Sequence, residues 1–244
     1  MGEEKRRIPL LDEVRGFAIL CMVGYHFLYD LRSAGLWEGE LLTLPLMDGL
    51  RDLFAGLFVA VAGACCLLSR NNWRRGGICI LAAEGVAMAA GVMGFPIWFG
   101  VLHLLGSSML LAALAGPALE KVPPLAGLGV AAFAAALTAG LPEGRFLGMK
   151  VPEWLVRSGA LYPLGLAEEG FRSTDYFPFL PWGMVFFFGF FAGKWIMAKE
   201  IPPFAMKSRS RFLAACGRKT LLIYLVHQPV LIGALAVIRH YSAR

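Results

Sequence analysis

Three stretches of this chain, residues 53–68, 122–141 and 221–238, carry predominantly apolar side chains. They approach or reach the roughly 17–25 residues that a helix needs to cross a bilayer. In lipid every backbone N–H and C=O must find its partner inside the protein, so runs of this length are read as helices. A water-soluble alternative fails on composition. The 244 residues are 58% hydrophobic and 16% charged, with mean hydropathy +0.64, against about 45–50% and about 25% for ordinary soluble domains. The chain is predicted to be all-α: a polytopic transmembrane bundle of about seven spans, forming one domain over 1–244.

The spans are placed at about 8–31, 51–69, 77–94, 97–116, 122–141, 176–197 and 219–239. The first run carries Asp12 and Arg15 and lacks a small-residue cleavage site, so it reads as a retained helix. Segment 142–175 holds nine charges and a moderately apolar stretch, 151–166. With seven spans and the N-terminus inside, fourteen Lys and Arg face the cytoplasm, including Lys5, Arg6, Lys121 and seven over 194–219. Eight lie outside, including Arg32, Arg145 and Arg244. An eighth span at 151–166 would put the 194–219 cluster outside, against the positive-inside tendency. That stretch is therefore expected as an extra helix in the outer interface, with the C-terminus outside the plasma membrane. Net charge is +6, but the basic residues cluster between apolar runs as topology signals do, so no nucleic-acid partner is expected. None of the five cysteines falls in an expected outer loop, so no disulfide framework is expected.

Polar residues inside spans are costly, about 2.5–3.5 kcal/mol per charge on insertion scales, and mark candidate sites. At about 100° per residue, Asp12, Arg15, His26 and Asp30 form one stripe along the first helix. Lipid would leave that face unsatisfied, so it must look into the bundle or a wet cavity. An Asp12–Arg15 pair at the inner end would be the purely structural explanation. A rise of about 1.5 Å per residue puts Glu84 at the depth of Arg15, as a buried counter-ion for it or for another inner-leaflet base, and His103 at the depth of His26, where it reads as a satisfied helix–helix bond or as a site residue. His227 and Gln228 precede Pro229, and are expected to satisfy backbone groups that a proline frees. The run TDYFPFLPWG, with Asp175, Tyr176 and Trp182, reads either as an interfacial aromatic belt or as an aromatic wall for a sugar ring. The loop RNNWRRGG offers Arg70, Arg74 and Arg75 with the indole of Trp73, either as topology signals or as an anion cradle.

The stretch RIPLLDEVRGFAILCMVGYHFLYDL resembles the opening motif of heparan-α-glucosaminide N-acetyltransferase-like membrane proteins, especially their short bacterial members. WFGVLHLLGSSMLL, DYFPFLPWGMVFFFG and LLIYLVHQPVL are similar to the rest of that pattern, so the resemblance covers nearly the whole chain. Arg15, ten residues and then His26 also match the Arg-x10-His pattern of broader transmembrane acyltransferases. The resemblance implies transfer of an acyl group, acetyl above all, from cytoplasmic acetyl-CoA to a sugar or glycan acceptor reached from the other side. In the animal branch the key histidine lies in the loop after the first span. Here residues 32–48 contain none. Either His26 takes the role, or the chemistry of this branch has drifted.

On that footing His26 is expected as general base, because a neutral imidazole suits proton removal near neutral pH. Asp30 would orient its ring, and Arg15 would hold the donor or lock the bundle through Asp12 and Glu84. Arg70, Trp73, Arg74, Arg75, Arg218 and Lys219 would hold the CoA phosphates; His103, Asp175, Tyr176 and Trp182 would face the acceptor. No metal is expected, and a homo-oligomer is left open. A small proton-coupled transporter or flippase using the same stripe is the alternative; it would need no CoA site.

Overall fold

The computed structural model describes residues 7–37, 39–199 and 201–242. Lys5, Arg6 and Arg244, counted above among the basic residues flanking the spans, lie outside them. All seven expected spans are helices: α1 Pro9–Ser33, α2 Pro45–Cys66, α3 Asn72–Val92, α4 Val101–Leu114, then the short α5 Gly116–Lys121, and α6 Pro124–Thr138. A two-stranded hairpin, β1 Arg145–Phe146 and β2 Met149–Lys150, leads to α7 Glu153–Val156. After it come α8 Phe179–Met197, α9 Pro203–Met206, α10 Arg211–Arg218 and α11 Thr220–Ser242. The protein is an all-α polytopic bundle. Among the described residues, five helices are long and apolar enough to cross a membrane: α2, α3, α6 with the turn after it, α8 and α11. The apolar α4 has 14 residues, and the 25-residue α1 carries Asp12, Glu13, Arg15, Asp30 and Arg32. Leu81, Met88, Val130, Phe133, Leu222 and Val230 are exposed, as lipid-facing side chains are.

Two of the expected elements differ in detail. α2 starts six residues before its expected boundary, because Arg51 pairs with Asp48 at 3.1 Å and Asp52 at 2.9 Å and lets a charged first turn stay helical. The interfacial helix expected over 151–166 is broken into α7 and a 3₁₀ turn, Tyr162–Leu164. Pro152 precedes α7, while Gly159 and Gly165 take the left-handed conformation (φ 62° and 95°) that ends a helix.

The described helices fall into two packed units, Met1–Phe58 with Ile201–Arg244, and Val59–Glu200. In the first unit α1 crosses α10 at a pair of glycines. A Cβ on Gly16 would overlap the carbonyl oxygen of Leu213, and one on Gly217 would overlap that of Asp12. Small residues at such crossings let helix backbones touch. α11 runs beside α1 in the same direction: Arg15 meets Gly217 just before α11, Asp30 meets Gln228, and Arg239 donates to the Ala34 carbonyl at 3.3 Å.

In the second unit the phenylalanine-rich α8 packs on α6 and α4, burying Phe186, Phe187, Phe190 and Phe191. Lys194 of α8 donates to the carbonyls of Leu119, Glu120 and Val122 at 2.7–3.0 Å. It thereby satisfies carbonyls at the end of α5 that lack intrahelical partners.

Candidate active site

The polar stripe of α1 divides into two groups with different partners. At its start, Arg15 donates through Nε to the Gly217 carbonyl at 2.7 Å, and its Nη2 contacts the same oxygen. Nη2 also pairs with Asp12 Oδ1 at 3.2 Å, and Arg7 pairs with the other Asp12 oxygen at 2.8 Å. Glu13, which sequence reasoning passed over, accepts from the Ser208 hydroxyl and from the backbone N–H groups of Arg209 and Ser210 at 2.7–2.9 Å. One turn of α1 thus holds both ends of α10. A carboxylate sits at its N-terminus and a guanidinium at its last carbonyls, the arrangement the helix dipole favours. The only sequence signal for this was the Asp-Glu-x-Arg spacing itself, since the partners lie about 200 positions away.

Eleven residues further along α1, roughly 16 Å at the helical rise, His26 faces His227 of α11. The ring centroids are 5.2 Å apart and the planes tilted by 49°. Asp30, expected to orient His26, instead accepts from Gln228 Nε2 at 2.8 Å. Among the described residues neither nitrogen of His26 makes a hydrogen bond. His227 Nδ1 lies 2.6 Å from the Tyr224 carbonyl. Pro229 lies inside α11, and the carbonyl it frees, four residues back, is that of Leu225. His227 and Gln228 therefore do not serve the proline as expected; they belong to the α1–α11 contact.

The second unit holds the other histidine. His103 Nδ1 accepts from the Gly100 N–H at 3.1 Å, and Nε2 lies 3.4 Å from Glu84 Oε1. A neutral imidazole has one donor and one acceptor nitrogen, so His103 has no lone pair left for substrate. Glu84 is 61% exposed and pairs with His103, so it is not the buried counter-ion expected for Arg15; Asp12 supplies that charge. Asp175, expected at the acceptor, accepts from the Val101 N–H at 3.0 Å and so caps α4. The Phe177 N–H and Thr174 N–H bond to the Phe99 and Pro96 carbonyls, which explains the TDYFP run as a collar around the start of α4. Tyr176 donates to the Tyr162 carbonyl at 2.6 Å, and burial with the neighbouring Tyr162 pushes its phenol up to about 12. Trp98, Tyr162, Phe171 and Tyr176 form a chain of ring contacts, and Trp182 packs on Phe177.

The basic residues stay at the surface. Arg70, Trp73 and Arg74 are exposed around the start of α3, where Asn71 caps the helix by accepting from the Arg74 N–H. Arg75 is directed to the Cys65 carbonyl at 3.4 Å. Arg218 and Lys219, exposed between α10 and α11, have no carboxylate partner among the described residues.

Fold and site together define a polytopic membrane protein with an ionisable cluster held between two of its helices. The chain belongs to the heparan-alpha-glucosaminide N-acetyltransferase family, whose catalytic-domain model matches residues 7–229. It is thereby a transmembrane enzyme of the N-acetyltransferase type. No curated protein and no solved structure matches it.

Proposed function

We propose that the protein transfers an acetyl group from cytoplasmic acetyl-CoA to an amine or hydroxyl of a sugar or glycan reached from the outer side, with His26 as general base. The observation that carries this reading is the open imidazole of His26: among the described residues its ring nitrogens make no hydrogen bond, whereas His103 spends both of its own. The acceptor's lone pair attacks the thioester carbon, its proton passes to His26, and the C–S electron pair leaves with sulfur as the CoA thiolate. The carboxylate of Asp30, one turn along and held by Gln228, stabilises the imidazolium. Arg15 and Asp12 act on the fold, as the anchor of α10. In the second unit Arg70, Arg74 and Arg75 offer charge for the CoA phosphates, which arginine binds through forked hydrogen bonds, with Trp73 as a stacking surface; Arg218 and Lys219 of the first unit are the alternative phosphate site. Within the second unit the aromatic collar at Tyr176 and Trp182 offers a stacking surface for a sugar ring; Asp175 and His103 shape it indirectly. The parallel run of α1 and α11 supports an odd number of crossings, with N- and C-termini on opposite faces of the plasma membrane.

The test is acetyl-CoA binding and turnover by the protein in nanodiscs. Acceptor-dependent release of CoA is expected with glucosamine, and comparison with N-acetylglucosamine separates transfer to nitrogen from transfer to oxygen. Arg70→Gln with Arg74→Gln should weaken acetyl-CoA binding and flatten its salt dependence, because exposed charges attract phosphate in a screened way. No binding of acetyl-CoA at low salt would reject the transferase reading in favour of transport.

A further inference from the structure

The α1–α11 contact contains a histidine that the reaction above does not use. His227 sits across from His26, its Nδ1 2.6 Å from the Tyr224 carbonyl oxygen. A carbonyl can only accept, so Nδ1 must carry the hydrogen and, in the neutral ring, the lone pair falls on Nε2. The ring is thereby held in one tautomer by the backbone of its own helix. Its nearest ring neighbours are Tyr224, at a centroid separation of 5.4 Å, and His26, at 5.2 Å. At the latter separation facing ring nitrogens come close to hydrogen-bonding range, about 3 Å, and the His26 ring has no other hydrogen bond among the described residues.

We propose that His227 is a positioning residue for His26: its Nε2 takes an N–H from the His26 ring and so fixes the lone pair of His26 on the opposite nitrogen, the one offered to the acceptor. The pair performs the service that a carboxylate performs for a catalytic histidine elsewhere, where the partner holds the ring in its useful tautomer. A neutral partner does so without placing a second carboxylate in the span beside Asp30. During transfer the acceptor's proton goes to the free nitrogen of His26, the new bond to the acyl carbon forms, and the C–S bond breaks with its electron pair on sulfur. The resulting imidazolium keeps its other N–H on His227 Nε2, beside the Asp30 carboxylate. This inference rests on the transferase reading for its kinetic consequence, but the pairing itself does not.

The experiment uses the full chain in nanodiscs, labelled with ¹⁵N-histidine, since ring nitrogen shifts distinguish the tautomers directly. His26 is expected in a single tautomer in the unaltered protein and in a mixture in His227→Phe. In the same variant kcat should fall about 10- to 100-fold, the usual cost of losing a partner that orients a functional histidine, with KM for acetyl-CoA unchanged. His227→Gln, whose side-chain carbonyl can accept the His26 N–H, should recover the single tautomer and most of the turnover. An unchanged His26 tautomer in His227→Phe, or full turnover by it, would overturn the assignment. If the unaltered protein transfers no acetyl group, the transferase reading falls while the ¹⁵N spectra still decide the pairing.

Discussion

Arg15→Ala is expected to destabilise the protein by about 3–5 kcal/mol, the usual cost of deleting one member of a buried ion pair. The Arg15 side chain is 16% exposed and that of Asp12 11%. Removal strands the Gly217 carbonyl at the end of α10 and leaves Asp12 with Arg7 alone, whose side chain is 67% exposed. Gly16 and Gly217 bring the two backbones into contact, so the crossing depends on the groups that Arg15 satisfies beside it. Arg15→Lys keeps the charge but not the fork that reaches the carbonyl and the carboxylate together, and should recover only part of the loss. Thermal unfolding in nanodiscs measures the total, and hydrogen exchange across 207–219 locates it. The exchange should rise in α10 first. Arg15→Ala with native stability but lost acetyl-CoA binding would instead return Arg15 to the donor site.

His26→Ala carries the largest expected effect on turnover. General base catalysis contributes about 10²–10⁴-fold, and the variant should lose that much while remaining folded and binding acetyl-CoA. Folding should survive because His26 makes no hydrogen bond among the described residues and touches its neighbours through ring contacts. His103→Ala is the matching control. Its ring joins the Gly100 N–H to Glu84 at the start of α4, so it should lower thermal stability more than turnover. Near-normal turnover by His26→Ala would remove it from the reaction. His26→Gln, closer in shape and still polar, separates lost chemistry from lost packing should the alanine variant prove unstable.

The contrast between these two histidines shows where reading the chain alone stopped. In the sequence they lie at equal depth, and although a satisfied helix–helix bond is the favoured reading of His103, what distinguishes them is which hydrogen bonds each already makes. For His103 that is decided by the Gly100 N–H left open at a helix start and by Glu84 on α3. Asp175 and Tyr176 were legible as a polar and aromatic cluster, but a cap and a ligand for sugar use the same residue types. Trp98 and Phe171, which complete the aromatic chain with Tyr162, gave no periodic signal because they sit in loops.

By itself the sequence determined not the short α5, α9 and α10 but the seven long apolar or amphipathic helices and the polar face of α1. These follow from local rules: apolar length, the 3.6-residue period, and the refusal of lipid to hydrogen-bond a backbone. The family was legible as well, since its motifs span the chain. Only the tertiary structure decided that Glu13 and Arg15 grip the two ends of α10, that Asp30 bonds to Gln228, and that His227 faces His26. Arg15 and Gly217 are 202 positions apart, and Asp30 and Gln228 198. A helix's period says which side chains share a face, but not which other helix that face will meet. That choice is made by close approach at glycines and by the need to satisfy every buried polar group at once, and both are properties of the packed bundle.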